Sequence, residues 1–175
     1  MLRHLPPLAL DSLLALFNSL WERGSYPDVW RESTIIPILK TGKSGIEPLH
    51  YRPIALTSCL GKLMERMVNT RLMWFFEHHG LFTESQCGFR RHRSTVDHIL
   101  ALDTDVRVSF KRGRHVGAVF FDIEAAYDTT WRFGILMKLH KYGIRGRMGH
   151  FLSSFLADRY FRVRIGNSLS EQLPH

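Results

Sequence analysis

The sequence predicts an α+β fold, on three observations. Apolar residues recur at helical spacing in five stretches, short β-branched or wholly apolar runs stand between them, and the two kinds follow one another without a regular βαβ rhythm. The 175 residues, 45% hydrophobic and 12% aromatic, are enough to bury one core of ordinary domain size and a smaller satellite. No internal repeat or low-complexity tract interrupts them.

From the N-terminus, Leu13, Leu16, Phe17, Leu20 and Trp21 fall at i, i+3, i+4, i+7 and i+8. That spacing predicts an amphipathic helix ended by Gly24, with Pro27 beyond it. Thr34-Ile35-Ile36-Pro37-Ile38-Leu39 is a β-branched run whose proline lacks a ladder donor, which predicts an edge strand; Lys40-Thr41-Gly42-Lys43-Ser44-Gly45 then reads as a basic turn. Leu63, Met64, Met67, Leu72, Phe75 and Phe76 line a second helix terminated at Gly80. A third starts at Ser94, with Asp97 placed to complete a capping box, turns Val96, Ile99 and Leu100 inward, and ends before Gly113. Gln86 to Arg93, between these helices, reads as an extended basic stretch.

Val116-Gly117-Ala118-Val119-Phe120-Phe121 has no polar residue to alternate with, so it predicts a strand covered on both faces at the centre of a sheet. Ile135, Leu136, Leu139 and Tyr142, then Met148, Phe151, Leu152, Phe155 and Leu156, predict two further helices. Phe161, Val163 and Ile165, alternating with Arg162 and Arg164, predict a last strand before Gly166-Asn167.

Lys and Arg number 24 against 16 Asp and Glu, a formal charge of +8, which points to a polyanionic partner. No apolar run approaches the ~20 residues of a spanning helix and the cations are scattered, so nucleic acid is favoured over a membrane surface, with an ordinary solvated surface as the plain alternative. Cys59 and Cys87 are too few for a disulfide framework and form no C-x-x-C pair, which suits a reducing intracellular compartment. His78-His79, His92 and His98 lack zinc-ligand spacing, and the start of the chain, with Pro6 and Pro7, reads as no secretory signal.

Asp122 directly follows the apolar run. A carboxylate at the end of a buried strand is held rigidly, as a ligand for Mg²⁺ must be; capping the following turn is the plainer role for an isolated Asp. Its context is more specific. Phe121-Asp122-Ile123-Glu124-Ala125-Ala126-Tyr127-Asp128, followed by Thr129-Thr130-Trp131-Arg132, resembles motif A of reverse transcriptases. Upstream, Ile36-Pro37-Ile38-Leu39-Lys40, Tyr51-Arg52-Pro53-Ile54-Ala55-Leu56, and Gln86-Cys87-Gly88-Phe89-Arg90 with Arg93-Ser94-Thr95 resemble, in order, the fingers motifs of non-LTR (LINE-type) retrotransposon enzymes.

The resemblance implies an RNA-directed DNA polymerase, seen as a truncated right-hand fold. It would comprise an N-terminal helical extension over 1–30, fingers over 31–113 and the first half of the palm over 114–175. It implies that Asp122 is the first of three metal-binding aspartates serving two Mg²⁺ ions, with Mn²⁺ as an alternative ion, and that Ile123 adds a backbone carbonyl. Tyr127 would be the steric gate selecting deoxynucleotides, or a Tyr that packs beneath the loop. Arg52 would grip the triphosphate, with Lys40 and Lys43 as candidates for the same anion or as a solvated basic loop. Gly88, Phe89 and Arg90 would meet template RNA or its base pair, the plain alternative being a turn glycine and a core Phe. RNA template, DNA primer and deoxynucleoside triphosphates are the implied partners, with no membrane, and nuclear action is usual for such elements.

Asp128 reads better as a helix N-cap than as a ligand, and the direction of Glu124 is left open. Arg159, Arg162 and Arg164 either follow a nucleic-acid backbone or solvate a strand face. The family continues with Gly-x-Pro-Gln-Gly and an Asp-Asp hairpin, and no Asp-Asp pair occurs in this chain. The chain alone is therefore expected not to polymerise, and the run at 116–121 to lack a neighbour on one flank. A nonenzymatic RNA- or DNA-binding remnant is the alternative function. A nuclease or phosphotransferase would require Asp122, Glu124 and Asp128 to converge.

Overall fold

The computed structural model describes residues 4–124, 126 and 129–174. Helices and strands mix in one α+β chain: α1 (Pro7–Arg23), α2 (Asp28–Arg31), β1 (Glu32–Leu39), β2 (Tyr51–Leu56), α3 (Cys59–His78), α4 (Thr95–Lys111), α5 (Arg132–Lys141), α6 (Gly146–Leu156), β3 (Tyr160–Ile165), β4 (Ser168–Leu169) and β5 (Leu173–Pro174). They divide into two compact units, Met1–Val68 with Trp131–His175, and Asn69–Thr130.

The first unit holds the sheet, in the order β2-β1-β3-β4, with β5 also pairing β3. β1 and β2 form an antiparallel hairpin in which Pro37 stands opposite Pro53. Just past that ladder, Lys40 N donates to His50 O at 2.8 Å. Hydrogen-bonded and non-bonded pairs alternate, so the prolines occupy a non-bonded pair and their missing donors face away from each other. On its other side β1 runs parallel to β3, but only from Glu32↔Tyr160 to Ile35↔Val163. The edge strand predicted from Pro37 is thus corrected: β1 is interior, and its second ladder stops before the residue that has no N–H to give.

The core of this unit is aromatic. The Tyr26 ring lies 5.5 Å from Trp30, 5.9 Å from Phe151 and 5.1 Å from Phe155, all edge-on, and Phe17 meets Trp30 at 6.2 Å. Such pairs each add about 0.5–1.5 kcal/mol beyond the area they bury. Phe17 and Leu20 of α1, Met64 of α3 and Phe151 and Leu152 of α6 are buried, each on the face read from apolar spacing, whereas Leu16 of α1 and Met67 of α3, read to the same faces, are exposed. Gly24 ends α1 at φ +60°, with its N–H reaching Leu20 O and Trp21 O; a Cβ there would lie 2.7 Å from His150 Cβ. Only glycine meets both conditions.

The second unit is thin. Cys87 is its one buried hydrophobic residue among those described. Ser94 and Asp97 form the expected capping box at the start of α4. The predicted inward face of that helix is corrected, because Val96, Ile99 and Leu100 are each more than half exposed. Residues 116–121 form no strand, and Val119, Phe120 and Phe121 are exposed, which corrects the prediction of a central covered strand. A strand exists through its ladder, and no described segment pairs with this one. Residues 86–93 are not extended: they make successive turns, with Phe89 at φ +61° and His92 at φ +58°.

Candidate functional site

The residues singled out in the sequence fall in both units. In the first, Lys40 closes the base of the β1–β2 loop, and its Nζ donates to Leu49 O at 2.9 Å. The ammonium is partly engaged by the loop itself. Lys43 is exposed in the turn, its N–H donating to Lys40 O at 3.1 Å. Arg52 pairs with Ile38 across the hairpin and is exposed, with no side-chain hydrogen bond or ion pair among the described residues. The register puts Ile38, Ile36, Thr34 and Arg162 on the same face as Arg52. Arg162 Nε is held by Glu32 at 2.8 Å. Arg52 is thus a fixed-backbone, open cation, the arrangement that suits a phosphate group.

In the second unit, Asp122 and Ile123 are exposed in an irregular segment, Ile123 at 74%. The rigid strand end invoked for Asp122 is absent. Among the described residues no three His, Cys, Asp or Glu side chains come together. Asp122 with neighbouring Glu124 does not make a site for a pair of Mg²⁺ ions, which need more oxygen ligands than these two residues offer. Tyr127 and Asp128 lie outside the described residues, so the steric-gate and N-cap readings have no geometry here. The N-cap position of α5 is Trp131, with no side-chain cap bond.

The loop at Gly88, Phe89 and Arg90 is the best-defined part. Arg90 Nε and Nη2 donate to the two carboxylate oxygens of Glu77 at 2.8 and 2.7 Å, and Nη1 donates to Thr83 O at 3.0 Å and Gln86 O at 3.2 Å. Its guanidinium also lies 5.0 Å over the Phe82 ring. The Arg90 side chain is only 12% exposed, so it is drawn into the loop rather than offered to a ligand. The Arg90 guanidinium holds the Glu77 carboxyl below the usual glutamate range. Phe89, in contrast, is 91% exposed. The plain alternative of a core Phe is excluded by that exposure.

Two features had no sequence signal. Glu77 is an ordinary solvated-looking acid near the end of α3 until its partner, 13 residues on, is known. Arg31 ties α2 to α6 and the turn after it, through Tyr26 O at 3.1 Å, Ser154 Oγ at 2.9 Å, Asp28 at 3.2 Å and Asp158 at 3.6 Å. It lines a cleft of about 450 Å³ with Asp28, Glu32, Asp158 and Tyr160, which contains none of the residues predicted for the site.

Comparison with known proteins bears on both parts. Residues 38–174 match the family described as reverse transcriptase (RNA-dependent DNA polymerase). The chain is 34% identical over 175 residues to the probable RNA-directed DNA polymerase from transposon BS of Drosophila melanogaster, covering 97% of this chain and 18% of that protein. It is 31% identical over 173 residues to the RNA-directed DNA polymerase from mobile element jockey of the same species, covering 99% and 19%. The Pol polyprotein from type-1 retrotransposable element R2 of Popillia japonica is 29% identical over 146 residues, covering 82% and 20%. The chain spans about a fifth of the length of these curated relatives.

Proposed function

Because the chain belongs to the reverse transcriptase (RNA-dependent DNA polymerase) family, we propose that its residues serve RNA-templated DNA synthesis by a non-LTR retrotransposon polymerase. The observation that supports this most is ordered coverage: the match over 38–174 includes Lys40, Arg52, Gly88 to Arg90 and Asp122, the residues on which the motif reading stands. In this reading residues 31–113 act as fingers and 114–175 as the beginning of the palm, with 1–30 as a helical extension. Arg52 binds the triphosphate of an incoming deoxynucleotide, assisted by Lys43 more than by Lys40, whose ammonium already has a carbonyl partner. Template RNA and a DNA primer are the polymeric partners. Asp122 and the Ile123 carbonyl contribute to a Mg²⁺ site whose remaining ligands these residues do not supply, and Tyr127 acts as the sugar gate.

One consequence concerns the purified 175-residue chain. With Asp122 unsupported by a carboxylate cluster among the described residues, it binds RNA or an RNA–DNA hybrid but does not extend a primer. Binding by fluorescence anisotropy, followed across salt concentration, is expected to weaken steeply with salt as counterions are released. Primer extension with Mg²⁺ or Mn²⁺ is expected to give no incorporation. Template-dependent incorporation would overturn the incomplete metal site, and absence of binding at low salt would overturn the nucleic-acid reading itself.

A further inference from the structure

From Thr129 to Ala157 the sequence has no Asp or Glu, the longest such interval in the chain, against five Lys and Arg. The interval holds α5, α6 and the turn between them, and this hairpin is fastened at both ends. At one, Arg132 Nη1 donates to Leu156 O at 3.2 Å. At the other, Ile144 is 7% exposed and its N–H donates to Leu139 O at 2.9 Å, while Gly143 turns the chain at φ +86°. Lys138, Lys141, Arg145 and Arg147 therefore stand on fixed backbone around this second end. All four are exposed, and none makes a side-chain hydrogen bond or ion pair among the described residues. Elsewhere Arg31, Arg90, Arg107 and Arg162 each have a carboxylate. Asp158 lies past the far end of α6, about 16 Å of helix away, and Asp11 and Glu22 of α1, which packs on α6, pair with none of the four.

Helix electrostatics accounts for half of this cluster. The last turn of α5 favours Lys138 and Lys141, whereas Arg145 and Arg147, at the start of α6, meet the helix end that disfavours cations. Repulsion among four unpaired cations adds to that cost. We propose that the turn end of the α5–α6 hairpin is a docking face for the phosphate backbone of duplex RNA, held by Lys138, Lys141, Arg145 and Arg147. None of these belongs to the residues assigned above to triphosphate, template or metal. The proposal rests on the nucleic-acid reading and adds a second place where RNA is held. RNA is the polymer of that reading, and a long RNA folds back on itself into helical stems. Cations on two rigid helices match a stiff, regularly charged duplex, and phosphate contacts of this kind position it without reading sequence. An anionic membrane surface is the competing polyanion. Lipid requires a broad apolar face to insert, but α6 turns Phe151 and Leu152 inward and α5 offers Phe133 and Met137 alone.

The test measures binding of the 175-residue chain to a fluorescein-labelled blunt RNA duplex by anisotropy, across salt concentration. The variant K138Q/K141Q/R145Q/R147Q is expected to bind about tenfold more weakly near ~0.1 M salt. Its plot of log affinity against log salt should lose about one unit of slope for each cation that meets a phosphate, about four in all. Its melting temperature should not fall, because the four side chains have no internal partner. The control K62Q/K111Q/R112Q/R114Q removes the same charge from exposed cations elsewhere and should change affinity by about twofold at most. An equal loss in the control would reduce the effect to net charge and overturn the face, as would a quadruple variant that binds like the wild type; either leaves the nucleic-acid reading standing. Two further arms separate the occupants. Affinity lost for duplex DNA but kept for duplex RNA would transfer the face to DNA. Wild-type binding to phosphatidylserine vesicles that the quadruple variant loses, with RNA binding unchanged, would make it a membrane face. Absence of binding to any nucleic acid at low salt would overturn the reading beneath the proposal.

Discussion

Tyr26 shows how much a single residue organises. Its hydroxyl donates to Glu65 Oε1 at 2.5 Å, its N–H donates to Ser154 Oγ at 2.9 Å, and its ring is the hub of the aromatic core. Burial, and then the bond to Glu65, push the phenol well above its ordinary value of 10.0. An acid whose folded value is raised contributes stability that is fully present below the unfolded value and is lost as pH rises beyond it. Denaturant unfolding is therefore expected to show stability falling above pH 10.0, and Tyr26→Phe should remove that slope. The same variant leaves Glu65 without its donor and should cost about 1–3 kcal/mol at neutral pH, with Tyr26→Phe/Glu65→Gln recovering part of the loss in a double-mutant cycle. Glu77 has the opposite sign. Its carboxyl is depressed by Arg90, so the clasp contributes above the ordinary value of 4.5 and is lost as pH falls through the lower folded value; an NMR titration following the Arg90 Nε–H should show it intact at pH 4.5. None of these pairings was legible in the sequence, where Tyr26 precedes a proline in a loop and Arg90 is one of three arginines in a run of four residues. Which cation turns inward depends on where Glu77 sits, and composition does not say.

Elements were legible where their signals were local. The capping box of α4 and the glycine end of α1 are short-range devices, and both occur where the sequence placed them. Burial depends on what a helix meets. Val96, Ile99 and Leu100 of α4 fall at i, i+3 and i+4 as Met148, Phe151 and Leu152 of α6 do, yet no described residue of α4 is buried, whereas α6 buries Phe151 and Leu152. α3 illustrates the same dependence from the other direction. Gly61 sits in the first turn of its helix, where alanine would still be favoured on propensity alone. A Cβ at Gly61 would nevertheless lie 2.7 Å from the Tyr26 hydroxyl. Gly61→Ala is expected to destabilise on balance, since overpacking costs about 1–3 kcal/mol and here also displaces the Tyr26–Glu65 hydrogen bond. A lower midpoint in urea, with an unchanged slope, would bear this out; a stabilised variant would mean that the hydroxyl moves aside freely.

At the scale of the whole molecule, the α+β class followed from element types, but the pairing did not, because β1 and β3 are neighbours in the sheet and far apart in sequence. Apolar content also misled at this scale: residues 116–121 read as the most buried strand and are open, since a buried strand requires partners that periodicity cannot supply. The consequence is an uneven distribution of stability. The first unit combines an aromatic core with a five-stranded sheet, whereas the second has Cys87 as its one buried hydrophobic residue among those described. Local opening free energy follows buried apolar contact and ladder bonding, so the two units should separate in hydrogen exchange. Amides of β1, β3 and α6 are expected to exchange slowest, near the global unfolding limit. Those of 116–121, which lack ladder partners, should exchange within the dead time, and α4, with its own helical bonds and capping box but no buried residue, should fall between. The exposed Val119, Phe120 and Phe121 should also bind a hydrophobic dye under native conditions, and replacing Phe120 and Phe121 with serine should abolish that signal without shifting the melting temperature. Slow exchange across 116–121 would mean that this segment finds a ladder partner in solution, by self-association or otherwise, and would restore the strand that its composition predicts.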